Sequence, residues 1–119
     1  MERSPIAIEN LSVKSYSFFE IDWLLLACGD YERRQYNAMT ISWGSLGVMW
    51  ARPIIQVVVR PQRYTYEFIE KYDTFTVCAF PKEYHQALSL LGTKSGREMD
   101  KIAKAGLTPI PATCVAAPA

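Results

Sequence analysis

Two adjoining stretches between residues 37 and 70 constrain the fold more than any other part of the chain. In the first, apolar and small polar side chains alternate. The two sets of alternate positions are Asn37, Met39, Ile41 and Trp43, and Ala38, Thr40, Ser42 and Gly44. Because successive side chains of a strand point to opposite faces, the pattern predicts a strand with one apolar face and one small, hydroxylated face. Such a face suits a flat heteroaromatic ring, and the alternative is an ordinary half-buried strand whose hydroxyls face water.

The second stretch begins at Arg52-Pro53, since the residue before a proline is held away from helical angles. Residues 54–59 form a continuous apolar, β-branched run, which predicts a buried central strand. An arginine-rich turn follows and opens a helix, with Thr65 as the expected N-cap residue. The turn supplies Arg60, Arg63, Tyr64 and Thr65. Guanidinium groups and free helix amides bind anions, so a phosphate site is predicted here, unless the arginines only solvate the turn and pair with nearby glutamates.

The patterning of the whole chain predicts strands with inserted helices. Strands are expected at residues 11–13, 23–29, 36–43, 54–60 and 74–80, and helices at residues 65–71, 81–91 and 97–105. Gly106 is expected to end the last helix, and Pro109 and Pro111 prevent it from resuming. The strands are candidates for antiparallel pairing. The predicted fold class is therefore a barrel-based β or α+β fold, with residues 1–119 as a single domain.

A series of short motifs then carries a family resemblance. In order along the chain they are Asn37-Ala38-Met39-Thr40, Trp43-Gly44, Arg52-Pro53, Arg60, Arg63-Tyr64-Thr65-Tyr66, Phe75-Thr76-Val77, Ser95-Gly96-Arg97, Asp100-Lys101 and Gly106-Leu107-Thr108-Pro109. No single motif is specific, but their order and spacing together are. The chain resembles the flavin reductase-like proteins with an FMN-binding split β-barrel, including the flavoredoxin group, and the resemblance extends over most of its length.

The resemblance implies a bound FMN and the residues that hold it. The ring would lie along Met39, Thr40, Ser42, Trp43 and Gly44, the phosphate near Arg60, Arg63, Tyr64 and Thr65, and the loop closing over the ribityl and phosphate groups would be Lys94, Ser95 and Gly96. Lys94 stands where many relatives have a neutral polar residue. Family members usually continue beyond a Pro-rich segment like residues 115–118 with several more strands that complete the barrel and carry part of the dimer interface. The chain is therefore expected to be the N-terminal portion of the family's domain, and its barrel is expected to be incomplete.

Three functions agree with this resemblance. The favoured one is an NAD(P)H-dependent FMN oxidoreductase, in which bound FMN transfers hydride or electrons between reduced nicotinamide and an acceptor. The second is a flavin-binding electron carrier. The third is a non-catalytic interaction module that has lost the cofactor, with Trp43 and Trp50 as interface anchors. The resemblance also implies a homodimer with the flavin near its interface.

Composition excludes other classes of function. The formal net charge is +1, from thirteen basic and twelve acidic side chains, so no overall field would recruit nucleic acid or an anionic membrane. The longest apolar run, residues 23–28, is too short to span a bilayer, and a cytoplasmic location is expected.

The cysteines and the single histidine argue against metal chemistry. Cys28, Cys78 and Cys114 are far apart and lack paired spacing, so they are expected to be reduced, the first two packing as small hydrophobes. His85 is the one histidine, which leaves no second imidazole for a metal cluster or a catalytic triad. It is expected on a helix surface, with a position near a nicotinamide or substrate as the alternative.

Overall fold

The computed structural model describes residues 3–119. Within them, four antiparallel strands follow one another, and most of the short helices come after the fourth. The strands are β1 (Leu24–Asp30), β2 (Gln35–Ile41), β3 (Gly44–Met49), β4 (Arg52–Val57) and β5 (Phe75–Ala79), and the α-helices are α1 (Ser17–Glu20), α2 (Tyr64–Lys71), α3 (His85–Thr93) and α4 (Lys101–Lys104). Single 3₁₀ turns occupy Ile8–Asn10 and Lys82–Tyr84.

The central element is β1, which lies between β2 and β5 in a three-stranded antiparallel sheet. Leu26 of β1 faces Met39 on one side and Val77 on the other. Both faces of β1 are covered, which is why its sequence is a continuous apolar run rather than an alternating one. β1 is thus the buried central strand, and the prediction that gave this place to residues 54–59 was wrong.

Each face of the central sheet packs into its own core cluster. On one face lie Phe19, Leu24, Leu26, Met39 and Ile41, and on the other Leu25, Ala27, Ala38, Leu88 and Leu91. The period of two in β1 and β2 assigns alternate residues to these clusters. The second face is covered mainly by α3, so the small, hydroxylated face predicted for β2 lies under a helix near Ala38 and Thr40.

β3 and β4 form a separate two-stranded hairpin. Every residue of β3 is exposed, and β4 contributes only half-buried side chains, with Ile55 and Val57 packing against the first core cluster. The turn residues Trp50 and Ala51 have φ angles of 53° and 58°. Two consecutive positive φ values match a type I′ hairpin turn, which normally prefers Asn-Gly. The β-branched run thus forms a half-buried hairpin strand, because it has a paired neighbour on one side only.

The helices differ from prediction mainly at their starts. α2 begins at Tyr64 with Arg63 as its N-cap residue and no side-chain cap, so Thr65 is not the cap. Residues 11–13 form no strand. The last helix is shorter than predicted: α4 begins after Asp100, whose carboxylate accepts a hydrogen bond from the Ala103 amide. The preceding residues 96–98 form a turn, and helical structure starts only at Lys101.

The predicted end of α4 is confirmed. Gly106 has a φ of 76°, and its amide donates to Ala103 O while the Leu107 amide donates to Ile102 O. This pair of bonds is a Schellman motif, which needs the left-handed conformation that glycine adopts without strain.

In the described part of the chain, no helix has the length and apolar character needed to cross a membrane.

Candidate functional site

A shallow depression lies where β2 ends and the chain turns towards the hairpin. Its volume is about 180 Å³. It is lined by Met39, Thr40, Ile41, Ser42, Trp43, Val58, Arg60 and Arg63. We call this the strand-end depression. It combines an exposed indole, small hydroxyl groups and two guanidinium groups around the end of one strand.

A second depression of about 140 Å³ lies beside the start of α2. It is lined by Met39, Gln62, Arg63, Tyr64, Thr65, Thr93, Lys94, Ser95 and Lys101. We call this the lysine depression. Its lining contains three cationic residues, Arg63, Lys94 and Lys101. Among the described residues that line it, none is an aspartate or a glutamate. Cations without a facing acid are an arrangement that binds anions.

Met39 and Arg63 line both depressions and therefore join them. The Arg63 side chain is held in place by a 2.8 Å hydrogen bond from its Nη2 to Gly92 O at the end of α3. Arg60 is exposed. With the Gln62 amide turned so that its oxygen faces Arg60, the Nε and Nη2 atoms of Arg60 donate to that oxygen at 3.0 and 2.8 Å. Neither arginine forms an ion pair with Glu67 or Glu70, so that part of the alternative interpretation does not hold, whereas Arg60 does face solvent.

A buried hydrogen bond supports the floor of the lysine depression. Asn37 Nδ2 on β2 donates to Thr65 Oγ1 on α2 at 2.8 Å, and both side chains are buried. Gly96 lies directly against this pair: a Cβ at position 96 would overlap Asn37 Oδ1 and lie 3.0 Å from Tyr64 Cδ2. Asn37 was predicted as part of the strand pattern, but its role as a strut was not.

Two predicted contact residues have their hydroxyl groups engaged elsewhere. Thr40 Oγ1 donates to Leu88 O of α3. Thr65 is fully buried and holds Asn37. Thr65 is therefore a positioning residue in this structure. Thr40 lines the strand-end depression, but the proton of its hydroxyl is already used.

Lys101 is the residue that sequence reasoning missed. It is 3% exposed, and its Nζ donates to Leu91 O at 3.0 Å and Lys94 O at 3.1 Å. Burial, and then the charge of Arg63, lower the pKa of Lys101 from 10.5 to about 8. Because the predicted helix over residues 97–105 placed Lys101 in its interior, the unfavourable position of a lysine at a helix start became visible only in the structure.

Lys94 and Ser95 line the lysine depression, whereas Gly44 does not line either depression. Gly44 instead begins β3 in close contact with Phe19 and the Gln56 backbone. Of the twelve predicted contacts, the fold brings ten to the two joined depressions, and Gly96 packs behind them.

Arg97, from the same loop, lies on the outside. It forms a 2.7 Å ion pair with Glu67, and its guanidinium carbon is 4.9 Å from the centre of the Tyr64 ring.

His85 and the cysteines lie away from these depressions. His85 is half-buried at the start of α3, stacked on Trp23 with ring centres 4.5 Å apart, and its Nε2 donates to Asp22 O at 3.2 Å. The expectation of a simple surface histidine was therefore wrong. Cys28 is buried, and its burial raises the pKa of the thiol. Residues 3–119 contain no group of three side chains able to hold a metal ion.

The fold and the joined depressions define a class: a small antiparallel β domain with a cationic depression beside the end of a strand. The chain belongs to the flavin reductase like domain family, whose model matches residues 23–119. It is similar to flavoredoxin of Desulfovibrio vulgaris (Miyazaki F), with 29% identity, a TM-score of 0.73, and coverage of all of this chain and 60% of that one.

A second solved structure has the same fold. It is an FMN-binding domain of a flavin reductases-like enzyme from Shewanella baltica OS155, with 20% identity, a TM-score of 0.72, and coverage of 88% of this chain and 55% of that one. The chain thus spans 60% and 55% of the two solved chains. No curated protein sequence matches it. The predicted family and the antiparallel split-barrel fold class are confirmed.

Proposed function

We propose that this chain binds FMN, with the phosphate in the lysine depression and the ring against the strand-end depression. The observation that carries the proposal is the convergence of Arg63, Lys94 and Lys101 beside the end of β2. The donor set fits a phosphate dianion, because guanidinium and ammonium groups form charge-assisted hydrogen bonds with its oxygens. Ser95 adds a hydroxyl, and the absence of a side chain at Gly96 leaves the Asn37–Thr65 strut undisturbed.

The ring would lie open rather than enclosed. The two depressions, of about 180 and 140 Å³, are each smaller than the roughly 300–1,000 Å³ typical of enclosed small-molecule pockets. Met39 and Trp43 offer apolar surface to one face of a ring, and Ser42 can hydrogen-bond its edge. Thr40 can only accept a hydrogen bond there unless it releases Leu88 O.

When bound, FMN would supply hydride or electron transfer between a reduced nicotinamide and an acceptor. The chain's own residues bind and orient the cofactor: Arg63 and Lys94 neutralise the phosphate, and Lys101 fixes the loop that presents Lys94. We propose that the chain is an NAD(P)H-dependent flavin oxidoreductase on this basis. A flavin-binding electron carrier with no nicotinamide oxidation is the alternative.

The phosphate assignment is tested by comparing FMN with riboflavin, which lacks the phosphate. The purified protein is titrated with each, and retained flavin is measured by visible absorption after gel filtration. FMN is expected to bind about a hundredfold more tightly than riboflavin, and this preference should largely disappear in the Arg63→Ala/Lys94→Ala variant, which removes two of the three cations of the lysine depression. Arg33→Ala, at an arginine 77% exposed, is the matched control. An unchanged preference in the double variant would refute the assignment.

The nicotinamide step is tested separately. FMN-loaded protein is mixed with NADH or NADPH under anaerobic stopped-flow conditions. Bleaching of the flavin band on the turnover timescale would support the oxidoreductase, whereas a stable band would favour the electron carrier. A protein that retains no flavin would favour the interaction module.

We also propose that two copies associate through the β3–β4 hairpin. Val48, Met49 and Trp50 are 74%, 54% and 91% exposed, and Trp43 is 62% exposed. Uncharged, exposed apolar side chains on a free strand edge are typical of an interface. Sedimentation velocity of the wild type and of Val48→Ser/Trp50→Ser should show a dimer that the variant loses. A monomeric wild type would contradict this assignment.

The location we propose is the cytoplasm, where reduced nicotinamide is supplied. Cys28, Cys78 and Cys114 are free thiols, and Cys114 is exposed, which suits a reducing compartment. Cell fractionation would place the protein, and recovery with the membrane or extracellular fraction would contradict this location.

A further inference from the structure

A groove on the outer side of α2 lies next to the lysine depression and is not used by the flavin ring. Its volume is about 440 Å³, within the range of small-molecule sites. One wall is aromatic. Tyr64 and Phe68 of α2 and Tyr72, which directly follows the helix, are spaced four residues apart, and Tyr36 of β2 also lines the groove.

The aromatic rings form a continuous row. The centres of Tyr64 and Phe68 are 5.1 Å apart in an edge-to-face arrangement, and those of Phe68 and Tyr72 are 6.2 Å apart and nearly parallel. The Tyr72 hydroxyl donates to Gln35 Oε1 at 2.8 Å, which fixes the ring at the end of the row. Aromatic rows of this kind stack nucleic acid bases regardless of base identity.

The groove also carries positive charge. Arg34 and Lys71 are exposed and line it, and Lys71 Nζ lies 5.3 Å from the centre of the Tyr72 ring. Glu67 is the acidic residue in the lining, and it is paired with Arg97 at 2.7 Å. The lining therefore offers aromatic surface and two cations to the same ligand.

Tyr64 lines both the groove and the lysine depression. The groove and the lysine depression therefore adjoin at this residue. We propose that the groove binds the adenosine phosphate half of an adenine dinucleotide, with the adenine on the aromatic row and its phosphate between Arg34 and Lys71. The link between the groove and the flavin rests on the proposed function, because it takes the phosphate of FMN to lie in the lysine depression.

The first test uses 5′-AMP alone, so that it does not depend on a bound flavin. Isothermal titration calorimetry should show saturable binding to the wild type. Arg34→Gln/Lys71→Gln should weaken it by about tenfold or more, and Lys82→Gln, an exposed lysine outside the groove, should change it by less than about twofold. Tyr72→Ala should weaken AMP binding by about tenfold, whereas Tyr72→Phe keeps the ring and most of the affinity.

No binding of AMP to the wild type, or equal binding to the double variant, would overturn the inference. Protein that retains FMN but not AMP would leave the flavin assignment standing while this one fails. Protein that binds AMP but not FMN would support the groove inference while the flavin assignment fails.

Two further titrations identify the source of the adenylate. If FAD binds more tightly than FMN and Arg34→Gln/Lys71→Gln removes the advantage, the groove holds the adenylate of FAD. If FAD has no advantage but NADP⁺ displaces AMP from FMN-loaded protein, the groove holds the adenylate of the nicotinamide cofactor. Failure of both dinucleotides to use the groove would overturn the inference even if AMP alone binds.

Discussion

The two sheets of the molecule are made from similar apolar residues but are buried to very different extents. Leu24 and Leu26 of β1 are fully buried, whereas Val48 of β3 is 74% exposed. β1 has a strand on each side and core clusters on both faces, while β3 has one neighbour and one covered face at most. The burial of each strand therefore reflects the number of strands and core clusters that pack against it. The central sheet is expected to carry the stability, and the hairpin to serve as surface.

The largest expected effect comes from paired leucine truncations. Leu26→Ala removes a fully buried side chain and should lower the free energy of unfolding by about 2–5 kcal/mol. Leu46→Ala in β3, where the side chain is 40% exposed, should cost less than about 1 kcal/mol. Urea denaturation of both variants measures the difference. Equal losses would mean that the hairpin is as much a part of the core as β1.

The second prediction concerns the buried charge beside the central sheet. The pKa of Lys101 is about 8 in the folded protein and 10.5 in the unfolded chain, so between these values the unfolded state binds more protons. The free energy of unfolding should therefore rise with pH across this window, by at most about 3 kcal/mol. Urea denaturation from pH 7.5 to 10.5 tests this.

The control for that experiment is Lys101→Met, which should remove the rise. Lys104→Met, at an exposed lysine of the same helix, should retain it. A rise of the same size in Lys101→Met would assign the effect to another group.

A third comparison uses one glycine that packs against the central sheet, Gly96, and one glycine of the hairpin, Gly47. Gly96→Ala would force a Cβ into Asn37 Oδ1 and against Tyr64, and it should lower the free energy of unfolding by about 1–3 kcal/mol. A Cβ at Gly47 of β3 meets nothing within 4 Å, so Gly47→Ala should be neutral or stabilise by up to about 1 kcal/mol. Thermal unfolding of both variants reports the sign, and a destabilised Gly47→Ala would show that the hairpin is more crowded than the structure indicates.

The smallest effect is expected at the hairpin turn. Ala51 has a φ of 58°, a left-handed conformation that costs a residue with a Cβ roughly 1 kcal/mol. Ala51→Gly should therefore stabilise the protein by about that amount. Ala7→Gly is the control, because Ala7 has a φ of −68° and gains no relief. Chemical denaturation should separate the two variants, and a loss of stability in Ala51→Gly would argue against a type I′ turn.

The sequence predicted what depends on local pattern. The period of two in residues 37–41, the positions of β1 and β5 and the end of α4 at Gly106 followed from alternation, apolar runs and the conformational freedom of glycine. The family resemblance brought together most of the residues of the two depressions, since its motifs converge from β2, the turn before α2 and the loop after α3. Their assignment to FMN stays a prediction.

What the sequence could not predict depends on neighbours in space. Residues 54–59 have the β-branched composition of a central strand. Only the pairing of β1 with both β2 and β5 shows that β1 is the central strand instead. Thr65 looked like a helix cap because its partner, Asn37, is 28 residues away in the chain. Lys101 looked like an ordinary helix lysine because the carbonyls that hold it come from the preceding helix and loop.

The contact of Gly96 with the Asn37–Thr65 pair also limits the order in which these positions can change during evolution. A larger residue at 96 becomes acceptable only after the side chain at 37 has become smaller. That earlier step removes the hydrogen bond to Thr65 and leaves a buried hydroxyl unsatisfied. Each single replacement is therefore harmful on its own, and only a coordinated set restores a packed site. The three positions are expected to be inherited as a unit among relatives that keep this loop.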